Sequence, residues 1–235
     1  MEAIKKRLRE ASEWDPQIAG VLHELWVFGI DQVSDQHARD ALVFFLTEVA
    51  PLEFFVAPAS RGAHHPKWQN RRGGILRNTV ECCLGIDRKM RIFPQLVDSK
   101  DRPKTEDRDI LLIATILSDT FKHVDMEGDW KNYAHHRIAA QKWLEAAEKF
   151  GLPQTFSDKT YDAIFWHLGR FTPEWKSAQK EDPIRDLTLH AFVVHMLDMD
   201  FSNKDLERIF MPKSSLGTGA TVSARAMRIR CLRAR

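Results

Sequence analysis

The residues of this chain best suited to chemistry are its histidines and the acids beside them. Ten histidines occur in 235 residues, and most fall into short groups. These are His64-His65, Asp119 with Lys122 and His123, His135-His136, His167, and His195 with Asp198. Asp119, Lys122 and His123 are spaced i, i+3 and i+4, so they share one face wherever the backbone is helical. His195 and Asp198, three apart, do the same. Neutral imidazole and carboxylate together suit a divalent transition ion such as iron, manganese, nickel or zinc. Such an ion polarises a phosphoryl oxygen and makes a nucleophile of water at neutral pH. A single histidine is more often a surface or core residue, so the weight lies on the grouping.

These residues need helices to hold them. Residues 1–12 read as a short charged helix. Asp15 before Pro16 caps a second helix running to about Val27. Ser34 or Asp35 caps a third, whose Ala41, Leu42, Phe45, Leu46 and Val49 form one apolar face ending at Pro51. Phe54 to Gly74, with Pro58, Gly62, Pro66, Gly73 and Gly74, reads as a long loop. Helix resumes from Ile75 to about Met90. Another begins at Asp107 or Asp109 and carries Ile110, Leu111, Ile113, Ala114 and Leu117. Tyr133–Phe150 is helical and stops at Gly151-Leu152-Pro153. Ser157 or Asp158 caps the next, which runs through Leu168. Leu187 to about Met199 is largely apolar helix, and Ser202–Phe210 adds a short one. Strand signals and internal repeats are absent. The expected fold is all-α, an irregular helical bundle.

Composition suits a soluble domain: 43% of residues are hydrophobic and 29% charged. The charged N-terminus lacks the apolar core of a signal peptide, and no apolar run reaches the ~20 residues of a membrane span. Cys82, Cys83 and Cys231 have no metal-binding or redox spacing and read as free thiols. A cytoplasmic protein without a membrane partner is the expectation. Net charge is +2, but from Lys213 onward there are six basic residues and no acid. The chain is therefore a body of −4 and a tail of +6. Such a tail is either a solvated end or a contact for nucleic acid or an acidic partner.

Arg61, Lys67, Arg71, Arg72 and Arg77 give the long loop and its exit five positive charges and no acid. Beside a site they would attract a phosphorylated small molecule or a nucleic-acid backbone. Trp68 either stacks on a base or anchors the loop. Gly73-Gly74 before a helix offers backbone N–H groups to an anion. P-loop and G-x-S-x-G patterns are absent. Gly217-Thr218-Gly219 lacks the context of a dinucleotide fingerprint.

Five segments in order resemble the HD-domain superfamily of metal-dependent phosphohydrolases. They are Phe54–Ser60 with His64-His65-Pro66 and Gly73–Val80, Ile116–Lys122, Tyr133–His136, Ile164–Gly169 and Val194–Asp198. Within that superfamily the opening is similar to phage-type hydrolases and the HD domains of DNA-transfer proteins. The resemblance implies residues 51–211 as an HD-like helical domain. Residues 1–50 would be a helical extension packed on it, and 212–235 the basic tail.

The resemblance implies a site as well. Asp119 and Asp198 would hold the principal ion, His136 and His167 a second one with Asp119 bridging. Lys122 would act with Asp119 in catalysis, and Arg72, Arg77 and Lys122 would contact phosphate. The chain departs from the family at two ligands. Asn78 stands where the first histidine belongs, and Ser118 where the histidine of the His-Asp pair belongs. Both bind transition ions more weakly than imidazole. His64 or His65, or the oxygens of Asn78 and Ser118 themselves, are candidate replacements. The ion would be manganese, iron, nickel, zinc or magnesium, if any is bound. Two functions follow: a phosphohydrolase acting on a nucleotide or nucleic-acid phosphoester through a degenerate centre, or an inactive HD-fold protein that binds a nucleotide, nucleic acid or protein.

Overall fold

Asp15 starts the first long helix as its residue type demands. Its Oδ1 accepts from the Ile18 N–H at 2.9 Å, while Pro16 occupies the first turn, where a missing N–H costs nothing. The computed structural model describes residues 1–60, 65–124, 134–169 and 188–202. Helix α1 spans Glu2–Glu10, α2 Pro16–Phe28 and α3 Gln36–Phe44. Asp35, rather than Ser34, caps α3 by accepting from the Ala38 N–H at 2.8 Å. A wider, π-helical turn over Phe45–Val49 extends α3. Arg7 of α1 closes that turn by donating to the carbonyls of Thr47 and Ala50 at 2.6 and 3.0 Å.

The remaining helices are α4 Leu52–Val56, α5 Gly74–Met90, α6 Thr105–Leu117, α7 His135–Lys149, α8 Gln154–Phe165 and α9 Leu189–Phe201. Apart from one isolated bridge between Val97 and Pro103, no β-structure occurs among the described residues. The fold is an all-α bundle. No helix among them is long and apolar enough to cross a membrane.

Helix α6 is the axis of the bundle. Every residue from Asp109 to Leu117 is buried, and α5, α8 and α9 pack around it. A helix apolar on all sides must be enclosed on all sides. One continuous core runs from Ile4 and Leu8 of α1 through Trp143 of α7 to Leu197 of α9.

Three boundaries differ from the sequence expectation. Helix α4 occupies the start of the expected loop, because Phe54 and Phe55 both bury their rings there. Helix α6 begins at Thr105, not at an aspartate. Asp109 instead accepts from the N–H groups of Ser34 and Asp35, both at 2.9 Å, and so fixes the entrance to α3. Helix α8 begins straight after Pro153, leaving Ser157 inside it, with its hydroxyl donating to the Pro153 carbonyl. The segment 203–210 and the basic tail lie outside the described residues.

Candidate metal centre

Three helix ends converge beside α6. Asp119 lies two residues past the C-terminus of α6, His135 opens α7, and His167 lies two residues past the C-terminus of α8. All three side chains are buried. His135 Nε2 is 3.4 Å from Asp119 Oδ1 and 3.4 Å from His167 Nε2. His167 Nε2 is 3.6 Å from the same Oδ1. These separations exceed the usual range of a good hydrogen bond. They match the edges of a coordination tetrahedron instead: bonds of about 2.1 Å give edges of about 3.4 Å. The three atoms can hold one divalent ion and leave a fourth position open.

The supporting contacts suit that use. His167 Nδ1 donates to the Ile164 carbonyl at 2.7 Å, so its Nε2 carries the lone pair that a ligand needs. His195 Nδ1 donates to the His167 carbonyl at 2.8 Å, clasping the same turn from α9. The C-terminal ends of α6 and α8 place partial negative charge next to Asp119 and His167, which favours a cation. Burial disfavours the Asp119 carboxylate, but the Lys122 charge and the polar edges of His135 and His167 outweigh it. They hold Asp119 well below the usual carboxylate range.

Asp119 divides its two oxygens. Oδ1 faces the imidazoles, and Oδ2 accepts from Lys122 Nζ at 2.7 Å. Burial would neutralise the ammonium, yet Asp119 and then Asp198 raise the lysine above its ordinary value. Next to Asp119 lies a cavity of about 10 Å³, lined by Asn78, Thr79, Cys82, Thr115, Ser118, Val194 and Asp198. Asn78 Oδ1 and Thr115 Oγ1 are buried there without a hydrogen-bond partner. Asp198 accepts from Ser202 Oγ at 3.0 Å and faces Asn78 Nδ2 at 3.5 Å. Asn78, Ser118, Asp119 and Asp198 are therefore brought together as expected from the sequence. Asp198, however, is outside the donor triangle.

His135, not His136, completes the triangle. Neighbouring helical residues point about 100° apart, so only one of the pair can face Asp119. His136 turns its fully buried ring edge-on to Phe165, with centroids 5.2 Å apart. Among the proposed replacement ligands, His64 lies outside the described residues. His65 donates from Nδ1 to Gln69 Oε1 at 2.8 Å. Burial and the Lys122 charge lower its pKa, against the pull of Asp198 and Asp119. His123 Nε2 contacts the Pro58 carbonyl at 2.8 Å, tying its turn to the loop.

The basic loop is used otherwise than expected. Arg72 pairs with Glu13 and Asp15, and Arg77 with Glu24. Both guanidinium groups thus tie the loop and the start of α5 to the N-terminal segment. The Gly73 and Gly74 N–H groups donate to the Val56 and Arg71 carbonyls at 2.9 Å each, so they are not presented to an anion. Trp68 anchors the loop by donating to Glu81 Oε1 at 3.0 Å. Arg61 lies outside the described residues.

No protein-family model, curated protein or solved structure matches the chain. Chemistry has to be argued from the site itself. Sequence reasoning passed over Thr115, although it precedes Asp119 by one helical turn and so shares its face. It also passed over Glu81 and Gln69, a buried acid and amide that no short motif distinguishes from surface residues.

Proposed function

We propose that this chain is a metal-dependent phosphohydrolase acting on a nucleotide or nucleic-acid phosphoester, with one divalent ion held by Asp119, His135 and His167. The observation that carries the reading is the buried triangle of two imidazole nitrogens and a carboxylate oxygen, 3.4 to 3.6 Å on a side. Two imidazoles and one carboxylate with an open position suit zinc, and also iron or manganese. An ion there supplies Lewis acidity toward a phosphoryl oxygen and acidifies water.

The chain's own groups have separable tasks. Asp119 gives the centre a negative charge that stays ionised. The Ile164 carbonyl fixes the His167 tautomer. Lys122 balances charge on the far side of Asp119 and is the one described cation in contact with that carboxylate. The order of motifs along the chain, similar to that of HD-domain hydrolases, supports phosphoester chemistry over other hydrolysis. A cytoplasmic setting and a phosphorylated substrate belong to the same proposal.

One observation favours a second reading, a binding protein on the same scaffold. Asn78 and Ser118 line the cavity where the resemblance calls for two imidazoles. The test is elemental analysis of protein purified without an affinity tag or chelator, followed by a panel of phosphomonoesters, nucleotides and dinucleotides. One equivalent of metal and turnover that both disappear in His167→Ala support the hydrolase. Metal without turnover on any substrate favours the binding protein, and absence of metal after incubation with each ion overturns the metal centre.

A further inference from the structure

A carboxylate that bridges two metal ions gives one oxygen to each. In Asp119 the second oxygen is already committed, because Oδ2 accepts from the Lys122 ammonium at 2.7 Å while Oδ1 faces His135 and His167. We propose that the Lys122 ammonium is the resident cation of the oxygen-lined half of this centre, and that Lys122 thereby limits the centre to a single metal ion. The inference rests on the metal centre proposed above and specifies its nuclearity.

The donors on that side support it. Asn78 Oδ1, Thr115 Oγ1, Ser118 and the carboxylates of Asp119 and Asp198 offer oxygen, and no imidazole lines the cavity. Cys82, which also lines it, directs its thiol to the Leu197 carbonyl at 3.6 Å. Oxygen donors select hard ions such as magnesium or manganese, and magnesium gives up its waters reluctantly. A space of about 10 Å³ is about what one water needs. With the ammonium in place it admits a water beside the orphaned Asn78 and Thr115 oxygens, and no hydrated ion.

Charge points the same way. Asp119 and Asp198 bring two negative charges and Lys122 one positive. One divalent ion leaves this group one unit positive, and a second would leave it three units positive. Uncompensated charge inside a protein is strongly unfavourable. Removing the ammonium would free Oδ2 and take away one positive charge. Both changes favour a hard ion next to Asn78, Thr115 and Asp198.

The experiment counts ions in the full chain by elemental analysis after equilibration with zinc and manganese together and removal of the excess. Wild type is expected to hold one ion, Lys122→Met two with the second being manganese, and Lys122→Arg one. Manganese electron paramagnetic resonance provides an independent readout of that second ion. Two ions in wild type, or no added manganese in folded Lys122→Met, overturn the inference while leaving the imidazole centre standing. No ion in wild type with one manganese in Lys122→Met keeps the role of the ammonium and overturns the imidazole centre. No ion in either protein overturns both. Should Lys122→Met fail to fold by circular dichroism, wild type and Lys122→Arg decide, and a second ion in either overturns the inference.

Discussion

The side-chain amide of Gln69 donates to Oε2 of Glu81 at 2.6 Å and, through its second hydrogen, to the Phe201 carbonyl at 3.0 Å. With Trp68 on the other carboxylate oxygen, this joins the loop to α5 and to the end of α9. No basic side chain makes a direct ion pair with Glu81 among the contacts described. Burial pushes its pKa from the ordinary 4.5 up to about 7, although the hydrogen bonds from Gln69 and Trp68 and the charge of Arg77 oppose the shift. Between those two values the folded state keeps a proton that the unfolded chain releases. This group's contribution is therefore fully present below about pH 4.5 and is lost as pH rises through 7. At 1.36 kcal/mol per unit, the loss is about 3 kcal/mol. Urea midpoints of wild type and Glu81→Gln at pH 5 and pH 8 check this. The difference between the two proteins should shift in favour of the glutamine variant at the higher pH.

The histidine pair separates ligand from core. His135→Ala and His167→Ala should each weaken metal binding by more than about 100-fold, since losing a direct ligand exceeds the 10- to 100-fold cost of an outer contact. His136→Ala should keep its affinity within about tenfold and show its effect as a lower melting temperature, because its ring packs on Phe165. Titration with zinc against a chelator of known affinity distinguishes the two patterns. An equal loss in all three would remove His135 from its assigned place.

Asp109 tests the entrance to α3. Asp109→Ala leaves the Ser34 and Asp35 N–H groups without their acceptors. Ser34 and Asp35 are exposed, so water replaces part of each bond. A hydrogen bond to a charged group contributes about 1.5 to 3 kcal/mol, and a loss of about 2 kcal/mol in urea unfolding is expected. Asp109→Asn retains one carbonyl oxygen and should lose roughly half as much. An alanine variant as stable as wild type would show that the two amides find other partners.

Gly74 tests the docking of the loop. A Cβ at this position would lie 1.7 Å from the Gln69 carbonyl oxygen and 2.6 Å from the Ala59 nitrogen, both backbone atoms. Gly74→Ala must therefore separate the loop from α5, and a destabilisation above about 4 kcal/mol, or failure to express in soluble form, is expected. Gly151→Ala is the control: its Cβ meets nothing within 4 Å, so only the strain of φ +66° remains.

The parts of the fold legible in the sequence were those set by local chemistry. Asp15 and Asp35 cap the helices they precede, Gly151-Leu152-Pro153 ends α7, and the apolar run of α6 is buried throughout. What could not be read depends on distant partners. Nothing near Arg72 or Arg77 shows that Glu13, Asp15 and Glu24, more than fifty residues earlier, will pair with them. Likewise Asp109 looks like a helix start until the amides of Ser34 and Asp35 arrive across the fold. At the site, the family resemblance grouped Asp119 with His167, and both lie just past helix C-termini. The choice between His135 and His136 turned on the rotational phase of α7, which adjacent identical residues conceal.

The burial of nine successive residues in α6 has a consequence for the time domain. Their amides have no local route to solvent, so deuterium should enter that helix only when the whole bundle opens. Asp119 sits two residues beyond this stretch. The carboxylate at the heart of the proposed centre is thus mounted on a segment expected to exchange only with global opening.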